Sequence, residues 1–371
     1  MRVLFIMTSL AGGGAEKVLV DLLRYTDYSK YEIDLCLVSN KGIYLNQIPS
    51  DVRLVYLYKK SEIIRYKIDF LLARYFSLNI FQRKRIEKVI GKNHFDVIIS
   101  FMEGIPVRFH NYIIQNGKKN ISWVHLDLLK HHYTSKYFRG QEEKKAYEKM
   151  DAVACVSNDA KNSLQRLFLL KIPLVTLYNP IDRDLIRLRS HEFVPDKKRF
   201  TICAVGRLMF QKRFDRLIRL AHNLRVRKQD VDFWIVGTGS LENELKQLSC
   251  SLNVKDLIHF WGFQSNPYPY MQAADMFLST SMAEGYPLVI CEALCLGKPI
   301  VATNVTGPRE ILGNSDFGLL TGEDDESIFK AVNAMINDES LRIHYAQRAL
   351  EKAEAFDIMN TVNTIYNFIQ G

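Results

Sequence analysis

The sequence predicts an α/β protein built from two doubly wound domains in tandem. Short apolar runs typical of buried strands alternate with segments of helical period almost throughout, which predicts parallel sheets covered by helices on both faces. The alternation lapses once, in a stretch dense in charge, and then restarts. The length of 371 residues also exceeds the roughly 100–200 residues of a typical single domain.

The first domain is predicted to span residues 1–182. Each of its strand candidates is an apolar run bounded by a turn or by a segment of helical period. Residues 15–25 place valines and leucines on one stripe, which predicts a helix directly after the first strand. The predicted strands are 2–7, 33–38, 52–56, 95–100, 120–124, 152–156 and 174–178.

Residues 183–199 are predicted to link the two domains, because they are charged, include Pro195 and lack an apolar stripe. The second domain is predicted to span residues 200–354. A helical stretch closes the chain, and its last part, about 355–371, is a candidate to pack back on the first domain. The strands predicted for the second domain are 200–205, 231–236, 257–260, 276–279 and 299–302.

Composition excludes several classes of protein. The six cysteines form no CxxC pair, which argues against a zinc site, and reduced thiols in a chain of this size suggest the cytoplasm. Cys291 and Cys295, one helical turn apart, are expected to be small buried side chains.

No stretch approaches the ~18 uninterrupted apolar residues of a membrane span, so we expect a soluble or peripheral protein. The net charge of +9 permits nucleic acid, anionic lipid or phosphate-bearing partners without choosing between them.

Ligands of doubly wound sheets bind at the carboxyl ends of strands, so motifs that directly follow strands are candidate sites. The first motif, Gly12-Gly13-Gly14, precedes a helix whose free N–H groups can bind an anion. A dinucleotide fingerprint would need glycine where Lys17 stands, which weakens a dehydrogenase interpretation. The alternative interpretation of this glycine motif is a tight turn between the strand and the helix, with no ligand.

Two more glycine motifs follow strands in the second domain. Residues 206–213 combine Gly206 with Arg207 and Lys212, and cations beside helix-start amides suit a highly charged anion. The motif at Gly237 lies at the edge of the sheet where a ligand would bind, although a G-x-G pattern by itself is common.

The strongest motif runs from Glu284 to Glu292, with the sequence EGYPLVICE. Pro287 suits the first position of a helix, where its missing N–H costs nothing. Amides from about Leu288 onward would face an anion, assisted by the helix dipole. The two carboxylates could accept hydroxyl hydrogen bonds on either side of a diphosphate, from a sugar at Glu284 and a ribose at Glu292. A structural salt bridge at Glu292 is the alternative.

Together these motifs resemble the retaining glycosyltransferases of family 4, which have the GT-B fold of two Rossmann-like domains facing a central cleft. The resemblance covers nearly the whole chain in order. The segments that carry it are 12–16 (GGGAE), 123–125 (WVH), 178–182 (YNPID), 206–213 (GRLMFQKR), 284–292 (EGYPLVICE) and 307–311 (GPREI).

The resemblance implies a role for each matched residue and no cofactor. Arg207 and Lys212 would neutralise the diphosphate of a nucleotide-sugar donor, while Glu284 would bind the transferred sugar and Glu292 the ribose. His125 would lie close to that sugar and would act with Arg207, Lys212 and Glu284 in catalysis. The other implied donor-binding residues are Gly13, Gly14, Gly237, Phe263, Gly285, Tyr286, Pro287 and Leu288.

The same resemblance implies transfer without a metal ion. The Asp182–Asp184 pair spells a D-x-D pattern often linked to metal-bound nucleotide sugars, but it lies in the charged linker, and we interpret it as chance. Retaining glycosidases use one carboxylate as a nucleophile. Here both glutamates are assigned to hydroxyl groups, and the resemblance implies a same-face route in which the leaving diphosphate itself helps to deprotonate the acceptor.

We expect a donor that is a UDP-sugar and an acceptor that is a glycan or a lipid-linked saccharide of the cell envelope. Residues 59–90 interleave cations with apolar residues at helical spacing, which predicts a surface that meets an anionic membrane. An ordinary helix whose apolar stripe fills the core is the alternative. Two further functions remain open: a sugar-nucleotide epimerase of the same fold, and a basic nucleic-acid-binding protein. The second is disfavoured because no binding module is recognisable.

Overall fold

The computed structural model describes residues 1–76 and 78–371. The chain forms two compact units. The first contains Met1–Pro180 and Met359–Gly371, and the second contains Ile181–Ile358.

The first unit is built on a sheet of seven parallel strands in the order β3-β2-β1-β4-β5-β6-β7. The order reverses between β1 and β4, and this reversal is the switch point at which doubly wound sheets bind ligands. The strands are β1 (Arg2–Met7), β2 (Glu32–Ser39), β3 (Arg53–Tyr58), β4 (Phe95–Ser100), β5 (Gly117–Val124), β6 (Ala152–Cys155) and β7 (Leu174–Thr176).

Helices from within residues 1–180 cover this sheet. Buried apolar side chains of this unit form clusters, one of them around Leu4 and Ile98 and another around Val124 and Val153. The helices are α1 (Gly14–Arg24), α2 (Ile63–Phe76), α3 (Ile80–Ile90), α4 (Ile105–Tyr112), α5 (Glu142–Tyr147) and α6 (Asn158–Phe168).

The second unit contains a sheet of six parallel strands in the order β10-β9-β8-β11-β12-β13. Its switch point lies between β8 and β11. The strands are β8 (Phe200–Val205), β9 (Val231–Val236), β10 (Ile258–Gly262), β11 (Met276–Ser279), β12 (Ile300–Thr303) and β13 (Leu319–Thr321). The helices are α7 (Arg183–Arg189), α8 (Phe214–Val226), α9 (Glu242–Ser251), α10 (Tyr268–Ala273), α11 (Leu288–Cys295), α12 (Pro308–Leu312), α13 (Asp325–Asn337) and α14 (Glu339–Ala353).

The last helix, α15 (Ile358–Gln370), returns to the first unit. Its Tyr366 hydroxyl shares a hydrogen bond of 2.5 Å with the Thr26 hydroxyl. The ammonium group of Lys119, on β5, donates to the carbonyl oxygen of Phe368. These contacts attach the C-terminal residues to the first unit.

The segment predicted to be a linker instead begins with α7, which belongs to the second unit. Ile186 is buried there, while the charged residues around it remain at the surface, so the sequence shows no apolar stripe. The D-x-D pattern also has a structural use. The Asp182 carboxylate caps α7 by accepting a hydrogen bond from the backbone N–H of Leu185.

Cys291 and Cys295 are both buried, as expected from their position in an apolar helix. Among the described residues, no helix is long and apolar enough to cross a membrane. In the same part of the chain, no group of three or more His, Cys, Asp or Glu side chains is placed to hold a metal ion.

Candidate active site

The start of α11 forms the centre of the candidate site in the second unit. The helix begins at Leu288, so Pro287 precedes it as the N-cap residue and does not occupy the first helical position that the sequence predicts. The carbonyl oxygen of Pro287 accepts hydrogen bonds from the backbone N–H groups of Ile290 and Cys291. The amides of Leu288 and Val289 come before the first intrahelical donor, Ile290, and they are the ones that can bind an anion.

Lys212 and Glu284 lie next to this helix start and form an ion pair. The Lys212 ammonium is 2.5 Å from Oε1 of Glu284, and the two side chains are 21% and 10% exposed. The hydroxyl of Ser281 donates to the same carboxylate oxygen at 2.7 Å. Lys212, Ser281 and Val289 also line one small pocket with the ends of β8 and β11. A cation, a carboxylate and a helix start therefore meet at the switch point of the second sheet.

Backbone hydrogen bonds fix the loop of Lys212 against the loop of Glu284. The backbone N–H of Met282 donates to the Gln211 carbonyl at 2.8 Å. The hydroxyl of Thr280 donates to the carbonyl oxygens of Lys212 and Arg213. The two loops are thus held together by contacts that do not involve the side chains of Lys212 and Glu284. Arg207 lies earlier on the loop of Lys212 and is partly buried.

Gly237 has a structural role in bringing two loops together. A Cβ at this position would lie 2.0 Å from the carbonyl oxygen of Gly206, and its φ of +138° also favours glycine. The backbone N–H of Leu208 donates to the Thr238 carbonyl at 3.0 Å. Close packing of these loops therefore accounts for the glycine, whose donor-binding role stays a prediction.

Glu292 is buried in the middle of α11, with 4% of its surface exposed. Oε1 accepts a hydrogen bond from the hydroxyl of Tyr268 at 3.3 Å. Phe263, predicted to bind the donor, directly follows β10 and is 43% exposed. Tyr286 is half-buried, and its side chain forms a hydrogen bond with the Cys291 thiol. The pKa of this thiol is raised mainly by burial. Gly285 contacts the loop after β12, where a Cβ at Gly307 would lie 2.7 Å from its carbonyl oxygen.

The glycine motif of the first unit begins α1 at the carboxyl end of β1. Gly13 is the N-cap residue and Gly14 the first residue of the helix. The Glu16 carboxylate accepts a hydrogen bond from the Gly13 N–H at 2.5 Å, which stabilises the helix start. A Cβ at Gly14 would meet no atom within 4 Å, so packing of the described residues does not explain this glycine.

His125 lies directly after β5 at the same edge of the first sheet. Its ring contacts Phe101, with centroids 5.1 Å apart, and stacks with Trp123 at 6.4 Å. Its Nε2 is buried and has no hydrogen-bond partner among the residues that the structure describes. Burial lowers the pKa of His125 to about 3, so the ring is neutral at physiological pH. An orphaned polar nitrogen of this kind is suited to a hydroxyl group of a ligand.

Glu103 is a residue of this site that sequence reasoning missed. It is 3% exposed, and one carboxylate oxygen accepts the backbone N–H of His125 at 2.8 Å. The other oxygen accepts the hydroxyl of Tyr133 at 2.9 Å. Burial is the main cause that raises the pKa of Glu103. The available signal was a lone carboxylate just after a buried strand and before Gly104.

The predicted residues therefore fall into two groups. Within the second unit, Lys212, Glu284 and the start of α11 are in contact or lie around one pocket. Within the first unit, Gly13, Gly14 and His125 lie at the carboxyl ends of β1 and β5.

Comparison with known proteins places the chain in a family. Residues 12–185 match the model of Glycosyltransferase Family 4, and residues 188–352 match that of Glycosyl transferases group 1.

Two curated relatives come from Campylobacter jejuni. The first is an N-acetylgalactosamine-N,N'-diacetylbacillosaminyl-diphospho-undecaprenol 4-alpha-N-acetylgalactosaminyltransferase, 29% identical over 98% of each chain. The second is a GalNAc-alpha-(1->4)-GalNAc-alpha-(1->3)-diNAcBac-PP-undecaprenol alpha-1,4-N-acetyl-D-galactosaminyltransferase, 23% identical over 96% of this chain and 95% of the relative.

The fold is shared with solved structures. One is Alr3699/HepE from Anabaena in complex with UDP and glucose, with a TM-score of 0.76, 20% identity and complete coverage of both chains. The two parallel sheets, the site at the second switch point and the family matches over both units lead to one conclusion. The chain is a glycosyltransferase of family 4 with the GT-B fold.

Proposed function

We propose that this glycosyltransferase moves a sugar from a UDP-sugar to a lipid-linked saccharide, with retention of anomeric configuration and without a metal ion. The observation that carries the proposal is the meeting of Lys212, Glu284 and the start of α11 at the switch point of the second sheet. A cation, free amides and a helix dipole stabilise a diphosphate. A carboxylate beside them can accept hydrogen bonds from sugar hydroxyls.

The donor proposal rests on charge and on burial. In the protein without ligand, the Lys212 ammonium is neutralised by Glu284. A donor diphosphate would compete for this ammonium and for Arg207, and would leave Glu284 to accept hydroxyl groups of the sugar. Glu292, held by Tyr268 in the interior of α11, would bind the ribose. The UDP bound to the Anabaena structure agrees with a UDP-sugar as donor.

The proposed retention occurs by attack of the acceptor on the face from which the diphosphate departs, with no protein nucleophile. With Glu284 and Glu292 both assigned to hydroxyl groups, neither is a nucleophile. The leaving diphosphate would accept the proton of the acceptor hydroxyl on the face from which it departs. Lys212, Arg207 and the amides of Leu288 and Val289 would stabilise its negative charge as the bond to the sugar breaks. His125, neutral and with an orphaned nitrogen, would bind a hydroxyl of the transferred sugar.

The acceptor proposal draws on the two Campylobacter relatives. Both are named for transfer of N-acetylgalactosamine to saccharides carried on undecaprenol through a diphosphate. A polyprenyl-diphosphate-linked saccharide is therefore the first acceptor to test.

Proton NMR of the reaction in detergent tests this proposal. The enzyme is incubated with each of UDP-N-acetylgalactosamine, UDP-N-acetylglucosamine and UDP-glucose and an undecaprenyl-diphosphate-linked saccharide, with and without EDTA. We expect one donor to yield a product whose new anomeric proton has the α configuration of the donor, at an equal rate in EDTA. A β product would contradict retention, and loss of activity in EDTA that is restored by magnesium would contradict metal independence. Donor that is epimerised and not transferred would favour the epimerase.

A further inference from the structure

The helix α2 has apolar side chains on two opposite faces. On one face, Tyr66 and Phe70 pack against the core of the first unit, and Ala73 is 1% exposed. Asp69, on the same side, accepts a hydrogen bond from the buried Tyr58 hydroxyl at 2.8 Å. The core therefore fixes how the helix is rotated, and with it which residues face outward.

The outward face carries a stripe of four large apolar residues, which we call the outer stripe: Ile64, Ile68, Leu71 and Tyr75. They are 70%, 50%, 51% and 56% exposed. At ~100° per residue they fall within an arc of about 60°, and they extend about 16 Å along the axis. Other exposed apolar side chains continue the surface on both sides of the stripe. They are Ile63, Phe76, Leu78, Ile80 and Phe81.

Cations flank the outer stripe. Lys67 and Arg74 lie along one side and Arg65 along the other. Among the residues that the structure describes, Lys67 and Arg74 form no ion pair, whereas Arg83 and Arg85 on α3 are neutralised by Glu87 and Glu62. The positive charge beside the stripe is therefore available to an external anion.

We propose that the outer stripe inserts into the headgroup region of an anionic lipid bilayer, with Lys67, Arg74 and Arg65 contacting lipid phosphates. A contiguous surface of exposed large apolar side chains marks an interaction site. A straight apolar stripe bordered by long cationic side chains suits a helix that lies in the plane of the membrane interface. This proposal rests on the proposed function, because a polyprenyl-linked acceptor is held in such a bilayer.

The sequence had left one objection to a membrane surface here, since one apolar stripe cannot both fill the core and enter lipid. The structure removes it. Tyr66, Phe70 and Ala73 fill the core, and the outer stripe is a second set of residues on the opposite side of the same helix.

Vesicle flotation tests the proposal with three matched variants of the full chain. The apolar variant is Ile68→Ser with Leu71→Ser, and the charge variant is Lys67→Ser with Arg74→Ser. The control replaces an equally exposed apolar residue and an exposed lysine outside this surface, Ile343→Ser with Lys255→Ser. All three should melt at the parental temperature, because no replaced side chain is buried.

Vesicles of phosphatidylcholine alone are compared with equal parts of phosphatidylcholine and phosphatidylglycerol. The parent and the control should float with the anionic vesicles and not with the neutral ones. The charge variant should bind at least ~10-fold more weakly, since each cation near an anionic surface contributes about fivefold. The apolar variant should lose at least as much affinity for the anionic vesicles. Equal recovery of the parent from both vesicle types, or parental flotation of the apolar variant, would overturn the proposal.

Two further measurements separate the possible failures. Sedimentation shows whether the outer stripe is instead buried against a second copy, and a dimer that the apolar variant dissociates would overturn the proposal. Transfer to a water-soluble acceptor analogue should be parental in all three variants. If the parent floats but transfers no sugar to any acceptor, the proposed function fails and the membrane surface stands. If the parent transfers sugar but does not float with the anionic vesicles, the proposed membrane surface is wrong and the proposed function stands.

Discussion

Replacing Lys212 by Met tests the ion pair at the centre of the site. The change removes the ammonium and keeps an unbranched side chain of similar length in the small pocket lined by Phe214 and Val289. Glu284 then keeps one neutral partner among the described residues, the Ser281 hydroxyl at 2.7 Å. The variant should therefore lose stability as well as turnover, for two separate reasons.

The stability loss follows from the geometry of the pair. Opposite unit charges 2.5 Å apart attract by about 6–7 kcal/mol at an effective dielectric constant of ~20. Most of this is offset by the cost of removing both charges from water. Removing one partner of a fully buried pair costs ~3–5 kcal/mol. Because the Lys212 side chain is 21% exposed, water can partly solvate the remaining carboxylate, and we expect about 1–3 kcal/mol.

The loss of turnover has a different origin. Lys212 would stabilise the charge of the departing diphosphate, and removing one such group costs about 2.7–4 kcal/mol in the transition state, or roughly 10²–10³ in kcat. The double variant Lys212→Met with Glu284→Gln separates the two effects. It leaves no unpaired charge, so its stability should return to within about 1 kcal/mol of the parent, while kcat should stay low.

The assay combines urea unfolding with steady-state transfer kinetics on the parent, both variants and Lys255→Met, an exposed lysine outside the site. Lys212→Met with a kcat within a few-fold of the parent would refute the diphosphate role. A double variant as unstable as the single variant would refute the account of the ion pair.

Four other changes test the remaining roles. Glu292→Ala should raise the Kd for UDP at least ~10-fold by calorimetry with the fold retained by circular dichroism; an unchanged Kd would exclude the ribose role. Arg207→Ala should lower kcat by about 10²–10³, and a change in KM alone would contradict charge stabilisation. Glu103→Gln should lower kcat, because this carboxylate positions His125. The Kd for UDP should stay unchanged, because the nucleotide is assigned to the second unit. A weaker affinity for UDP would instead indicate a general structural defect. His125 is held neutral in the folded protein with a pKa of about 3, so its contribution to stability is complete above the unfolded value of about 6.5 and is lost as the pH falls toward 3. His125→Phe should therefore lose less unfolding free energy than the parent between neutral pH and about pH 5, and equal losses would contradict the burial of this ring.

The sequence predicted strands best where they are buried on both faces. The bounds of β1, β4, β8, β9 and β11 agree with the predicted ranges, because strands in the middle of a covered parallel sheet are uninterrupted apolar runs. The three-residue edge strand β13 was missed, whereas the equally short edge strand β7 was predicted because it begins a longer apolar run, 174–178.

Tertiary contacts explain what else the sequence could not predict. In α2, apolar residues occur all round the helix, so periodicity alone does not say which stripe faces the core. Glu103 is linked to its partners His125 and Tyr133 across 22 and 30 positions in the chain, and local patterns carry no such information. The motif at Glu284 was accessible because its glycine, proline and carboxylates all lie within residues 284–292.

Mass spectrometry of the acceptor, combined with measurement of released UDP, tests the central claim most directly. The enzyme is given the preferred UDP-sugar and an undecaprenyl-diphosphate-linked saccharide, and both products are followed in the same reaction. The account predicts that the acceptor gains the mass of one sugar residue for each UDP released, and that Glu284→Ala abolishes both. An acceptor of unchanged mass while the donor is consumed would contradict it.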